Sequence, residues 1–206
     1  MHPAMRVPVS AIVAASVSAL ILGTPGLLAD AEVSQRAADS FQRKVAGIQQ
    51  YAASTLTGSR LTPVSESELN SYIRFSLKNE MPSGVVDPYV SIVGEGKVRA
   101  RAVVDLDAVR QARTRGWFDP LAYLSGKLPV TAQGRLTATG RQARLELHQV
   151  TVSGMTVPNG LLQELVSFYS RSPQYPNGVD LDAPFDLPAR IEEIHVEVGQ
   201  AVVLQR

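Results

Sequence analysis

Two histidines, His148 and His195, have carboxylates two residues away in the sequence, at Glu146 and Glu197. A histidine beside a carboxylate can bind a metal ion or move a proton. Neither histidine has the H-x-H or H-x-x-x-H spacing that brings two ligands to one face, so both are more typical of solvated strand residues. The sequence therefore predicts no metal site and no bound cofactor.

Paired aspartates occur twice in a Val-Asp-Leu-Asp pattern, at 104–107 and at 179–182. Two such carboxylates could contribute to a calcium site or to hydrolysis, but calcium takes six or more oxygen ligands and no third acidic residue lies near either pair. Asp105 at a strand exit and Asp107 as a helix cap explain the first pair, and a solvated loop explains the second. Since no G-x-S-x-G or glycine-rich phosphate loop is present, no catalytic residue is assigned and no enzymatic activity is expected.

The overall charge is +1 and cysteine is absent. The balanced charge argues against a nucleic-acid partner, and the lack of cysteine excludes disulfides and thiol chemistry. Arg110, Arg113 and Arg115 form a small basic cluster before Trp117 and Phe118. This cluster could touch anionic head groups at a membrane surface, or it could be a solvated helix face followed by a core aromatic pair.

Residues 1–31 resemble a targeting segment: Arg6 precedes a charge-free apolar run over 7–22, and the segment ends in Ala29-Asp30-Ala31. The small-x-small ending predicts a signal peptide cleaved after Ala31. The alternative is an uncleaved inner-membrane anchor, because the run is only slightly shorter than a membrane span. In both cases the protein is expected to be exported, as a periplasmic or extracellular domain over 32–206.

Apolar residues at three- and four-residue steps predict amphipathic helices. The first covers 32–57 and includes Phe41. The second starts at a capping box formed by Ser65 and Glu68, would bury Leu69, Ile73 and Leu77, and must end before Pro82. A short helix is expected over 107–115 with Asp107 as its cap, and another opens at 158–159 and would bury Leu161.

Three hairpins are predicted from apolar alternation around glycine-containing turns. In the central one, Gly140-Arg141 forms a type II′ loop, so that Leu136 faces Leu145 and Gly134 faces Leu147. The apolar alternation slips by one residue at 148–149, which predicts a bulge. The first hairpin spans 85–106 around a three-residue loop at 94–96, with an edge strand or bulge at Pro88. The third turns at 199–200.

These elements predict an α+β fold in which a large curved antiparallel sheet of about six strands packs around one or two amphipathic helices. Many inner-face residues of the hairpins are small, which leaves room beneath the sheet. The room is either filled by the Phe41 helix as ordinary core or left open as an apolar groove. The residues expected to form that groove are Ala100, Val104, Leu136, Leu145 and Leu147, with Phe185 at the rim.

The segment TPVSESELNSYI at 62–73, followed by PSGV at 82–85, VDLD at 104–107 and Val157-Pro158, resembles the YpmS-like exported bacterial proteins. It is similar, more distantly, to the LmeA-like and AsmA-like lipid-associated families. The resemblance implies a long sheet wrapped around a helix and a lipid or envelope role, and it supplies no catalytic residue.

The leading hypothesis is a non-enzymatic exported protein that shelters a lipid or another apolar small molecule between sheet and helix, with only peripheral membrane contact. Each buried methylene would contribute about 0.8 kcal/mol. The alternative is a structural or assembly protein of the cell envelope that acts through protein–protein contacts.

Overall fold

The computed structural model describes residues 32–111, 125–171 and 175–206, apart from the side chain of Tyr169. The expected signal segment, and Arg113, Arg115, Trp117 and Phe118 of the basic cluster, lie outside the described residues. No helix in the described ranges is both long and apolar enough to cross a membrane.

Four helices and nine strands are formed within these ranges. The helices are α1 (Gln35–Ala53), α2 (Glu66–Phe75), α3 (Leu106–Gln111) and α4 (Asn159–Tyr169). The strands are β1 (Arg60–Ser65), β2 (Val85–Gly94), β3 (Lys97–Asp105), β4 (Lys127–Thr139), β5 (Gln142–Val152), β6 (Met155–Thr156), β7 (Phe185–Asp186), β8 (Ile191–Glu197) and β9 (Gln200–Gln205).

The strands form two antiparallel sheets, and the predicted α+β class is confirmed. The larger sheet has the order β2-β3-β4-β5-β6, with β7 also paired to β5. The smaller sheet has the order β1-β9-β8. The first two predicted hairpins therefore lie in one sheet and the third lies in the other, where it is joined by β1, a strand that the sequence analysis did not predict.

The central hairpin has the predicted register, with Leu136 opposite Leu145 and Gly134 opposite Leu147. The predicted bulge is present, because Gln133 pairs with Gln149 and leaves His148 as the extra residue. The turn type was wrong: Gly140 and Arg141 both have positive φ, at 63° and 68°. Two positive φ values define a type I′ turn, whose twist matches that of the flanking strands.

The first hairpin also follows the prediction in its inner pairs, Val90 with Ala100 and Ile92 with Val98. Its loop is shorter than expected, because Gly94 pairs with Lys97 and only two residues remain between the strands. The third hairpin turns at 198–199 and not at 199–200, since Glu197 pairs with Gln200.

Apolar residues from four strands stand side by side across the larger sheet. Val90, Ala100, Ala132 and Val150 are consecutive partners in its register. Helix α2 covers one end of this row, where Ile73 and Leu77 pack on Val90 and Ala100. Helix α4 contributes Leu162 at the other end, against Ala132 and Val150. Leu161 of α4 was expected to be buried but is 49% exposed.

The smaller sheet and α1 close the rest of this face. Val196 of β8 packs with Ile92, Val98 and Leu145. Ile48 of α1 shares a core cluster with Leu187 and with residues of both sheets, namely Ala138, Ala143, Ile191 and Val203. Helix α1 is held to α2 by a ring contact between Phe41 and Tyr72, whose centroids are 4.7 Å apart. The second predicted helix is confirmed, and its capping box between Ser65 and Glu68 is complete.

One buried polar side chain fastens α2 to the outer edge of β2. The Asn70 amide, 2% exposed, donates from Nδ2 to the carbonyl oxygen of Val90 (2.7 Å) and to that of Glu66 (2.9 Å). Its Oδ1 accepts a hydrogen bond from the Val90 N–H at 2.7 Å. Two residues further along β2, the Glu66 carboxylate accepts from the Ile92 N–H at 2.7 Å. Side chains of α2 thus take the place of a neighbouring strand.

We expect Asn70→Ala to destabilise the fold by about 3 kcal/mol, because it leaves the donor and the acceptor of Val90 buried and unpaired. Urea unfolding of the purified protein measures the loss. Asn79→Ala, at an exposed asparagine, is the matched control and should change the free energy of unfolding by less than about 0.5 kcal/mol. Equal effects of the two substitutions would contradict the structural role of the Asn70 amide.

Candidate functional site

A groove lies between α2 and the first half of β2. It has a volume of about 720 Å³, within the roughly 300–1,000 Å³ range of small-molecule sites. Its walls come from the residues before α1, from α2 and the turn that follows it, and from β2 and β3. The residues that line it are Val33, Asn70, Ile73, Arg74, Phe75, Lys78, Met81, Val85, Val86, Asp87, Pro88, Tyr89 and Arg101.

An irregularity in β2 opens one wall of this groove. The register with β3 shifts between Val86 and Tyr89, and Asp87 has a positive φ of 47°. Pro88 cannot donate to a ladder, so pairing fails at this point, and the predicted edge strand and bulge are both confirmed. The α2 side-chain bonds to β2 backbone begin only at Val90, so the stretch before it borders the groove.

The floor of the groove is apolar. Ile73 lies at its base and is 1% exposed, whereas Phe75 on the same helix is 44% exposed. Val85, Val86 and Met81 complete the apolar surface and are each half-buried. An exposed phenyl ring beside a row of half-buried aliphatic side chains is a surface on which a hydrocarbon chain gains contact area.

The rim of the groove carries more positive than negative charge. Arg74, Lys78 and Arg101 contribute three cations against the single carboxylate of Asp87. Arg101 stacks over the Tyr89 ring, with its guanidinium carbon 4.5 Å from the ring centroid. Arg74 and Lys78 are exposed and form no ion pair or hydrogen bond with any residue that the structure describes.

The six residues expected to form an apolar groove lie elsewhere. Ala100 is buried under α2 beside Ile73 and Leu77, and Leu145 is buried with Val98 and Val196. Leu136 and Leu147 pack at the borders of these clusters. Val104 is half-buried at the end of β3, and Phe185 on β7 is 39% exposed. None of the six lines the groove at α2, and helix α2 together with the smaller sheet occupies the space beneath Ala100 and Leu145.

The groove residues on α2 were missed because the helix pattern was interpreted only for its buried face. Phe75 falls off the stripe formed by Leu69, Ile73 and Leu77, and a large apolar residue on a polar helix face is an available signal of a surface site. Pro88 was recognised as a break in β2, but nothing in the sequence relates that break to α2.

The histidines and paired aspartates are not assembled into a catalytic or metal site. His195 Nε2 lies 2.9 Å from Glu193 in the smaller sheet, while His148 is an exposed bulge residue of the larger one. Across the part of the chain that the structure describes, no three His, Cys, Asp or Glu side chains are grouped so as to hold a metal.

The aspartate pairs serve as local caps and turns. Asp105, and not Asp107, caps α3, because its Oδ1 accepts from the Ala108 N–H at 3.0 Å. The Gly126 N–H bonds to Asp107 and, with the neighbouring Arg110, lowers the pKa of Asp107. Asp180 accepts from the backbone of Asp182 in a turn.

A second, polar cleft of about 460 Å³ lies where α1 and α2 begin. Glu68 is its buried carboxylate, with a side chain 11% exposed, and it accepts hydrogen bonds from Lys44 (2.6 Å) and Ser40 (2.7 Å). Burial acts to raise the pKa of Glu68, but the bonds from Lys44, the Ser65 backbone and Ser40 outweigh it, so that the pKa is lowered. These bonds satisfy the Glu68 carboxylate and join the two helices.

No protein-family model matches the chain, and no curated protein has significant similarity to it.

Glu68 should make folding stability depend on acid pH. Its pKa in the folded state lies below the ordinary value of 4.5, so its contribution is complete above that value and is lost as the pH falls through the folded pKa. We expect Glu68→Gln to cost about 1–3 kcal/mol at pH 7 and to flatten the loss of stability below pH 5. Urea melts at several pH values measure both effects.

The matched control for this substitution is Glu164→Gln, which removes an exposed carboxylate on α4. It should leave the free energy of unfolding and its pH dependence nearly unchanged. If the slope below pH 5 persisted in Glu68→Gln, the assignment of that slope to Glu68 would be wrong.

Proposed function

We propose that this protein is a non-enzymatic exported binding protein, which holds a lipid or another apolar chain in the groove between α2 and β2. The single observation that carries this proposal is the groove itself: an apolar floor at Ile73 and Phe75 with an irregular strand edge for its opposite wall. Apolar pockets with a few polar groups at the edge are the usual form of small-molecule sites.

The groove lies between a helix and an edge strand, on residues other than those expected from the sequence. The apolar side chains of Phe75, Met81 and Val86 offer contact area to a hydrocarbon chain. Each methylene removed from water there would contribute about 0.8 kcal/mol. The targeting features of residues 1–31 and the resemblance to YpmS-like proteins support an exported, lipid-associated role.

The alternative of an envelope assembly protein that binds by strand addition is less favoured at the β2 edge. The backbone of Val90 is already bonded to Asn70, the Ile92 N–H to Glu66 and the Ile92 carbonyl to the Gly199 N–H. A partner strand could pair along this stretch only by displacing α2 and the tip of the β8–β9 hairpin, which would expose Ile73 and its neighbours to water.

An uncharged naphthylamine fluorophore, whose emission rises in apolar surroundings, tests the proposal. We expect the protein to take it up, and we expect Phe75→Glu to weaken uptake by at least about tenfold, or roughly 1.4 kcal/mol, because the substitution places a carboxylate on the apolar floor. Leu161→Glu is the matched control, since Leu161 is 49% exposed and Phe75 is 44% exposed.

Fluorescence titration of the three proteins gives the dissociation constants, and circular dichroism confirms that each is folded. Uptake that is lost in Leu161→Glu and retained in Phe75→Glu would place the apolar site on α4 and contradict the proposal.

A further inference from the structure

We infer that the groove between α2 and β2 is selective for an amphiphile with one hydrocarbon chain and an anionic head, of the fatty-acid carboxylate type. This inference rests on the proposed function and adds to it the charge of the head group and the number of chains.

The charges at the rim favour an anion. Two exposed cations, Arg74 and Lys78, line the groove with one carboxylate, Asp87, and Arg101 lies beside them over the Tyr89 ring. Some other cations of the chain are already bound, namely Lys44 to Glu68, Lys97 to Glu95, and Arg190 to backbone carbonyl oxygens. Arg74 and Lys78 have no such partner among the described residues, so their charge is available to a ligand.

The positions of the cations allow the head group and the hydrocarbon chain of one ligand to bind at the same time. Arg74 and Lys78 flank Phe75 in the sequence and share the groove with it, so a carboxylate at the rim leaves its chain on the apolar floor. A guanidinium offers a planar pair of donors that matches a carboxylate, and the lysine adds a second charge. An amine head group would instead face an excess of like charge.

The volume fits one chain. A methylene occupies about as much space as a water molecule in the liquid, about 30 Å³. A groove of about 720 Å³ therefore has room for one chain of sixteen or eighteen carbons with its head group, whereas a second such chain would extend into solvent.

Competition with the uncharged fluorophore tests this inference on the full-length protein. We expect hexadecanoate to displace the probe at roughly fivefold lower concentration than hexadecanol at low salt, and the advantage to shrink as salt is raised, because exposed ion pairs are weak and screened. Hexadecanoate should also compete better than a diacyl phosphatidylglycerol presented in the same detergent.

The double variant Arg74→Gln, Lys78→Gln should weaken the binding of hexadecanoate more than that of hexadecanol, and so remove the preference for hexadecanoate. Arg43→Gln, Arg144→Gln is the control, because it removes the same charge from exposed positions outside the groove. A preference that disappears equally in both double variants would come from overall charge and would overturn the inference.

The remaining outcomes separate this inference from the proposed function. Equal displacement by hexadecanoate and hexadecanol would overturn the charge selectivity and leave the apolar site in place. Equal displacement by the diacyl lipid would overturn the limit of one chain. If neither single-chain compound displaced a bound probe, the proposed function would fail. Binding that appears only after residues 1–31 are removed would assign the groove to the chain's own N-terminal segment and also overturn the inference.

Discussion

The amide of Asn70 is the contact on which the arrangement of this molecule depends. An edge strand exposes unpaired N–H and C=O groups, which proteins must cover or protect. Here a buried asparagine presents a donor and an acceptor to Val90 in the manner of a backbone peptide, and the Glu66 carboxylate continues the row at Ile92. Because both side chains come from α2, the helix is fixed against the sheet at the same place where the sheet is closed.

The groove forms where the side-chain bonds from α2 to the edge of β2 end. The bonds from α2 reach Val90 and Ile92, while the register shift at Asp87 and Pro88 interrupts the pairing of β2 with β3 just before Val90. Between the end of α2 and this irregular stretch, apolar side chains of both elements remain half-exposed. The side-chain bonds from α2 at one end and the interrupted ladder at the other thus leave a groove whose walls are supported by regular structure, as a binding site requires.

The local pairings were predictable because one register had to satisfy both faces. In the central hairpin the apolar and polar pairs agree with a single alignment, and that alignment is the one observed. The capping box at Ser65 could also be predicted from the sequence, since it depends on two residues three positions apart. Strand β1 was not predicted. It contains Pro63, and a proline is tolerated in a strand that pairs on one side only, as β1 does with β9.

Long-range packing explains the remaining differences between the expected and the observed structure. Small residues such as Ala100 and Ala132 indicated free space next to the sheet. Whether that space is empty depends on the helices that pack on the sheet, and here Ile73 of α2 and Leu162 of α4 fill it. The candidate site joins α2, β2 and β3, and neither helical nor strand periodicity reports how close Phe75 and Val86 lie in the folded chain. Charges without partners, such as Arg74 and Lys78, are recognisable only once every other contact is known.

The most direct measurement is an isotope-edited NMR spectrum of the protein in the presence of hexadecanoate. Intermolecular contacts between the methylene protons of the chain and the methyl groups of Ile73, Met81 and Val86 are predicted, because these side chains line the groove. Contacts confined to Val157 and Leu162 beside α4, or the absence of any contact at saturating ligand, would contradict a binding site between α2 and β2.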